Sequence, residues 1–442
     1  MGDHTFRGGV HPAEHKELSC KAPLVDYAPK GELVFLMNQH IGKPAAPIVQ
    51  KGDRVLAGQR IAEATGFVSA NIVSSVSGTV KAIEPRPTAA GPMAQAIVIT
   101  PDGENTLAEG IGEQTNYLDL TNQEILERIK AAGIVGMGGA GFPTHVKLTV
   151  KDPNKIRYVI ANGAECEPYI TCDDQLMQCH ADEIVAGIEI ILRLFPQAQG
   201  VVCIENNKPA AIAAMKAACE GRGRISVMPM KTKYPQGGER SLISVVASRH
   251  LKLGMLPADA GCVVDNVASI RAVYRAVCLN EPLMERGVTV SGDSVKNPGN
   301  FWVKIGTSSR ELVDACGGWN EGLEPEKILS GGPMMGIPLV SLDVPICKNN
   351  NAITALSVDP VSAAPMTACL RCGRCNRVCP LGLSPQLMQV AAQCKDYERY
   401  EKRLYGLECI ACGCCTYICP AKRPLMQLFK VTKAEIMAAK KK

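Results

Sequence analysis

Ten of the twenty cysteines lie between Cys369 and Cys419, and eight of these repeat one spacing. Cys369, Cys372, Cys375 and Cys379 precede Pro380, and Cys409, Cys412, Cys415 and Cys419 precede Pro420, so each run reads C-x2-C-x2-C-x3-C-P. Thiolates in this pattern bind a pair of 4Fe–4S clusters, with the fourth cysteine of each run ligating the other cluster. Three close thiolates cap one cubane only where the loop turns tightly, as Gly373 and Gly413 permit, and the fourth then lies beyond its reach. The expected ligand sets are therefore crossed: Cys369, Cys372, Cys375 and Cys419 for one cluster, Cys409, Cys412, Cys415 and Cys379 for the other. Structural zinc is the competing reading, but it prefers C-x2-C pairs separated by a longer loop. Cys394 and Cys414 are left over.

A relay needs a source of electrons. Residues 136–141, Gly-Met-Gly-Gly-Ala-Gly, match G-x-G-x-x-G, yet a helical stretch precedes them and Pro143 follows, which is the wrong setting for a Rossmann fingerprint. Residues 136–147 (GMGGAGFPTHVK) instead resemble the flavin-binding loop of the NADH-oxidising subunit of respiratory complex I. Asn162-Gly-Ala-Glu165-Cys-Glu167-Pro168, Gly237-Gly238-Glu239 and Asp265-Asn266-Val267 follow in that family's order, and residues 290–299 and 331–336 are similar to the small β-grasp domain after them. The resemblance implies that Gly136, Gly138, Gly139, Gly141, Lys147, Asn162 and Asn266 contact noncovalent FMN, and that Glu165, Glu167 and Glu239 shape the nicotinamide pocket. Clustered glycines suit this role because they let backbone N–H groups converge on a phosphate. The chain departs from that family at Ala164 (for Asp), at Ala268 (for Glu) and at Tyr234, which is one position off.

The opening Phe6-Arg7-Gly8-Gly9-Val10-His11-Pro12, the doubled cysteine run and the N-terminal module together resemble the RnfC family of Rnf electron-transport complexes. That resemblance implies a peripheral subunit on the cytoplasmic side of a bacterial membrane. Its partners would be integral-membrane and ferredoxin-like subunits, and it would exchange electrons between NAD(H) and, indirectly, ferredoxin, coupled to ion translocation. Two other readings stay open. One is a soluble flavin and iron–sulfur cobalamin reductase, expected to begin near the glycine loop. The other is a flavin-free, ferredoxin-like relay and docking subunit.

Four units would have to position these residues, giving a multidomain α/β and β chain. Residues 1–115 are expected to form a barrel-sandwich domain of biotinyl/lipoyl type. Residues 49–61 and 72–80 are its halves, and the hairpin at 62–71 contains no lysine to carry a prosthetic group. Residues 116–285 alternate helix and strand as an α/β flavin- and NADH-binding domain: helical at 124–132, 181–194, 210–220 and 240–248, strand at 158–161, 201–204 and 225–228. Residues 286–350 are expected to be a small β-grasp (SLBB-like) domain. Residues 351–442 are expected to be a linker with Pro360 and Pro365, then an α-helical ferredoxin-like two-cluster domain.

Composition narrows the classes further. Aromatics are only 4%, which argues against a nucleic-acid stacking surface. No run approaches the ~18 apolar residues of a membrane span, and Met1-Gly2-Asp3-His4 has no signal-peptide character, so a cytoplasmic location is expected. Residues 365–442 carry 14 Lys/Arg against 5 Asp/Glu, a balance of +9 that ends in Lys440-Lys441-Lys442. That surface reads either as an offset to anionic clusters or as a docking face for acidic partners or anionic lipid.

Overall fold

The computed structural model describes residues 4–252, 254–359 and 363–440. Met1, Gly2 and Asp3, Pro360 of the expected linker, and the terminal Lys441 and Lys442 lie outside them.

Near the N-terminus, short apolar alternations separated by Gly and Pro form two antiparallel sheets. One runs in the order Leu33–Leu36, Met93–Pro101, Gly78–Pro87, Arg54–Val55, and the other Ala46–Pro47, Arg60–Glu63, Ile72–Val73. The two sequence halves meet in both, Arg54–Val55 against Gly78 and Thr79 and Arg60–Glu63 against Ile72–Val73. Val55, Ile61, Ile72, Val80, Ile97 and Ile99 close the sandwich with no exposure.

The central unit is a parallel sheet in the order Ile225–Met230, Gln199–Glu205, Tyr158–Gly163, Cys262–Asn266. The chain starts in Tyr158–Gly163, winds outward twice in one direction, then returns to the other side of its first strand. Such a reversal opens a crevice beyond the carboxyl ends of the two strands that flank it. Helix Asn122–Ala131 begins with a capping box made by Thr121 and Glu124. Helix Ala181–Leu194 buries Ile184, Ile188 and Ile191, each worth ~1.5–3 kcal/mol of apolar burial. It packs on helix Val267–Cys278 closely enough that a Cβ at Gly187 would lie 2.2 Å from the Ile270 carbonyl oxygen.

A third, six-stranded sheet runs Leu24–Tyr27, Gly299–Lys304, Glu285–Ser291, Ala352–Leu356, Lys327–Ser330, Ile337–Pro338, with helix Ser309–Ala315 beside it. Two of its strands come from outside the span expected for this unit. Leu24–Tyr27 is an edge strand parallel to Gly299–Lys304, and Ala352–Leu356 is an inner strand between Glu285–Ser291 and Lys327–Ser330. Both pair with segments remote in sequence, so local pattern gives their strand character but not their sheet.

The cysteine-rich end is helical: Arg374–Val378, Pro385–Gln393, Cys414–Tyr417 and Leu425–Ala439 surround Met388, Tyr400, Leu425 and Phe429. Its two runs repeat in backbone as well as in sequence. Positive φ recurs at Arg371 and Ala411 (53° and 52°), at Gly373 and Gly413 (70° and 81°), and at Gly382 and Lys422 (67° and 50°).

Lys348 ties three units together. Its side chain is buried and donates to the Asn71 and Gly133 carbonyls, while its backbone N–H donates to Gln39. Burial pulls its ammonium down to about 7. The unfolded chain, titrating near 10.4, then holds more protons between about pH 7 and 10, so this group's contribution makes stability rise with pH in that window. The difference in unfolding free energy between wild type and Lys348→Met, measured in denaturant from pH 6 to 10, is expected to change only there.

Candidate functional site

Asn162 and Asn266 are register partners at the carboxyl ends of the two strands flanking the crevice. Each uses both ends of its amide. Asn162 donates to the Gly237 carbonyl (2.9 Å) and accepts from the Ala164 N–H (3.2 Å). Asn266 caps helix Val267–Cys278 by accepting from the Ala268 N–H (2.8 Å), and donates to Asp173 (2.6 Å). The glycine loop arrives at the same place. The Met137 N–H donates to Ser269 Oγ (2.8 Å), and the Gly136 N–H to the Phe142 carbonyl (2.8 Å). Gly138 has φ +72°, a backbone state that favours glycine, and a Cβ on Gly139 would meet no atom within 4 Å. The loop therefore offers an open, side-chain-free stretch of backbone above the switch point.

Lys147 sits under this loop. Its ammonium donates to the Val264 carbonyl (2.7 Å) and to Asp265 Oδ1 (3.0 Å), leaving the buried Asp265 Oδ2 without a partner. The lysine thus neutralises a buried carboxylate beside the position where a phosphate would approach.

The three expected carboxylates part company. Glu165 has a left-handed backbone (φ 47°) and a side chain only 2% exposed. Its carboxylate turns inward to accept from the N–H groups of Asp173 (2.7 Å) and Asp174 (3.3 Å) at the start of helix Cys172–Cys179. Burial pushes this carboxyl up, against the pull of Lys16. Glu165 therefore turns its carboxylate inward, away from the role expected from sequence. Glu167 accepts from the Met334 N–H (3.0 Å), its Oε1 is buried and unpartnered, and burial pushes it to about 7. Glu239 opens helix Glu239–Ala247 and is exposed.

Sequence reading misses the groups that hold this turn from beneath. Lys16 donates to the carbonyls of Glu165 (2.9 Å), Glu167 (3.1 Å) and Ile170, and Lys208 donates to that of Ala164 (2.7 Å) while pairing with the buried Glu205 (3.5 Å). A lysine in sequence reads as surface, since it is almost never buried unless paired. The spacing of Glu205 and Lys208 just after an apolar strand is the one local signal.

The cysteine segment contains two cavities that are partly open to solvent. Cys409, Cys412, Cys415 and Cys379 line one, and Cys369, Cys372, Cys375 and Cys419 line the other. Each cavity thus gathers three cysteines of one run and the last of the other, four thiols that suit a cluster, and Cys414 also lines the first. The first cavity lies against the central α/β unit. Tyr234, 2% exposed, donates its hydroxyl to the Cys412 carbonyl (2.8 Å) and packs with Val10, Met334, Cys414 and Cys166. Cys414, outside the repeat, is fully buried in this contact. Arg240 and Glu408 add an ion pair at 2.6 Å.

Family comparisons cover most of the chain. Residues 4–104 match the RnfC barrel sandwich hybrid domain, residues 129–275 the Nuo51 FMN-binding domain and residues 288–338 the SLBB domain. The C subunit of the proton-translocating ferredoxin:NAD(+) oxidoreductase complex of Clostridium ljungdahlii is 44% identical over 436 residues, spanning 98% of this chain and 94% of that protein. Its Na(+)-translocating counterpart in Acetobacterium woodii is 40% identical over 439 residues, 99% and 98% of the two chains. The C subunit of the ion-translocating oxidoreductase complex of Rhodobacter capsulatus is 42% identical over 400 residues, 89% and 76%.

Breaking a buried ion pair from one side is costly because it strands the other charge. Lys147→Met is therefore expected to destabilise the protein by about 3 kcal/mol, and Lys147→Met with Asp265→Asn to recover most of that loss in denaturant titrations.

Proposed function

The chain belongs to the RnfC family, the C subunits of ion-translocating ferredoxin:NAD(+) oxidoreductase (Rnf) complexes, and from that premise we propose how its residues serve the exchange of electrons with NAD(H). FMN would be held over the glycine loop (Gly136, Gly138, Gly139, Gly141), its phosphate met by backbone N–H groups of residues 138–141, with Asn162 and Asn266 fixing the strand ends beneath and Lys147, paired with Asp265, supporting the loop from below. Glu167 and Glu239 border the nicotinamide, while Glu165 turns its carboxylate inward. Two 4Fe–4S clusters occupy the cysteine cavities with crossed ligands. A bound flavin accepts a hydride and passes electrons on singly, which is what connects NAD(H) to one-electron clusters. The protein's own part is positional: the Tyr234 contact holds the Cys379/409/412/415 cavity against the flavin unit, so that cavity is the first stop from the crevice.

The observation that carries this reading is that each cavity gathers three cysteines of one run and the last of the other, in a chain that also carries an open glycine loop at its sheet's switch point. The barrel-sandwich module, which a cobalamin reductase would lack, favours the Rnf reading over that alternative. Among the described residues no helix is long and apolar enough to cross a membrane. We assign the chain a peripheral place on the cytoplasmic side, held by the other subunits of the complex. The unit boundaries near 115, 285 and 350 remain part of this proposal, with strands Leu24–Tyr27 and Ala352–Leu356 assigned to the β-grasp unit.

Two substitutions test the cofactor sites. A side chain at Gly139 clashes with nothing in the protein, so Gly139→Val is expected to melt like wild type but to purify without flavin; full flavin occupancy would refute the loop assignment. Cys419→Ser is expected to alter the same EPR signal as Cys375→Ser, with Cys415→Ser altering the other. If Cys419→Ser instead tracked Cys415→Ser, crossed ligation would have to be abandoned.

A further inference from the structure

The two cysteine runs repeat one backbone, yet their surroundings are opposite. Cys412 and Cys415 are buried, and a Cβ at Gly413 would lie 2.9 Å from the Met334 carbonyl oxygen. At the equivalent places Cys372 is exposed and Cys375 half-buried, Cys369 is exposed where its counterpart Cys409 is half-buried, and a Cβ at Gly373 would meet nothing within 4 Å. One loop is thus sealed against the β-grasp and flavin units, through Met334 and Tyr234, while its twin faces outward.

The outward loop is also strongly and uniformly charged. Arg371, Arg374 and Arg377 are exposed and form no ion pair among the described residues. Residues 366–394, which supply this loop, contain three Arg and no Asp or Glu. Leu370 (66% exposed) and Met366 (58%) lie in the same segment. Exposed apolar groups among arginines are the make-up of a protein-docking surface, where arginine is enriched, and an uncompensated field of one sign draws in a partner of the other.

We propose that the Cys369/372/375/419 cavity is where electrons pass between this chain and a second redox protein, and that its arginine rim docks an acidic face of that protein. The inference rests on the reading that this cavity holds an iron–sulfur cluster. One electron crosses per encounter, oxidising one centre and reducing the other, with no bond made or broken. Seated over this loop, the partner meets the one cysteine run that the flavin unit leaves uncovered, so the chain works as a polarised relay with distinct inner and outer ends.

The test uses the holoprotein and, as probe, a small acidic two-cluster bacterial ferredoxin reduced beforehand with titanium(III) citrate. Iron content, both EPR signals and stopped-flow flavin reduction by NADH are recorded first; if the signal lost in Cys375→Ser is absent from wild type, the cluster reading itself fails. With both signals present, binding of the ferredoxin and its second-order oxidation rate are each expected to fall at least tenfold between 10 and 300 mM salt, because opposite charges are screened. Arg371→Glu/Arg374→Glu/Arg377→Glu is expected to lower both at least tenfold at 10 mM salt, leaving flavin reduction and the EPR signals unchanged. The milder Arg374→Gln/Arg377→Gln should show a smaller fall and guards against loss of the cluster in the triple variant. Binding and rates insensitive to salt and to both variants would overturn the proposal. So would variants that lose only binding to phosphatidylglycerol vesicles, since the rim would then face lipid.

Discussion

The hydroxyl of Tyr234 donates to the Cys412 carbonyl inside a contact that excludes water, and the arrangement of the molecule as an electron carrier depends on that bond. A buried donor and acceptor left unpaired would cost ~1–3 kcal/mol, so the bond specifies how the cysteine segment seats. The backbone of the same residue makes two further bonds, its N–H donating to the Val10 carbonyl and its carbonyl accepting the Val10 N–H. One residue therefore joins the N-terminal arm, the flavin unit and the cysteine segment. The side chains around it, Cys166, Met334 and Cys414, belong to the crevice, the β-grasp sheet and the cysteine run.

Around this joint the charges are arranged by depth. Lys16 and Lys208 are consumed by backbone carbonyls and buried carboxylates under the crevice, and Lys147 by Asp265. Their task is to fix backbone, because each ammonium satisfies carbonyls that have no water to turn to. At the surface of the cysteine segment Arg371, Arg374 and Arg377 form no ion pair among the described residues. The same residue class thus builds a rigid crevice inside and an electrostatic field outside, and burial alone separates the two roles.

Much of this was legible in the sequence, for reasons that differ by element. The cysteine runs and glycine loop can be read because their chemistry fixes spacing over a dozen residues. Helix Ala181–Leu194 can be read because its apolar period is local, and it starts and stops at the expected residues. Strands Leu24–Tyr27 and Ala352–Leu356 could not be placed in their sheet, since their partners lie some 275 residues away in one case and in a different sequence unit in the other. Strand Cys262–Asn266 and helix Val267–Cys278 escaped the α/β rhythm because no polar break separates them: Asn266 ends one and caps the other. The inward turn of Glu165 was hidden because it depends on a left-handed backbone and on a lysine about 150 residues earlier.

The N-terminal arm reaches the far end of the chain, where the Gly9 N–H donates to the Val378 carbonyl and Gly8 packs on the Cys379 carbonyl. During synthesis the arm emerges hundreds of residues before the segment it grips. Until then its polar groups are served by water, and the barrel-sandwich and flavin units can fold as they appear. Closing the arm is therefore among the last events in the life of the nascent protein, and it follows the appearance of every cysteine up to Cys379. The second cysteine run, beginning at Cys409, is made only after both strands of that grip exist.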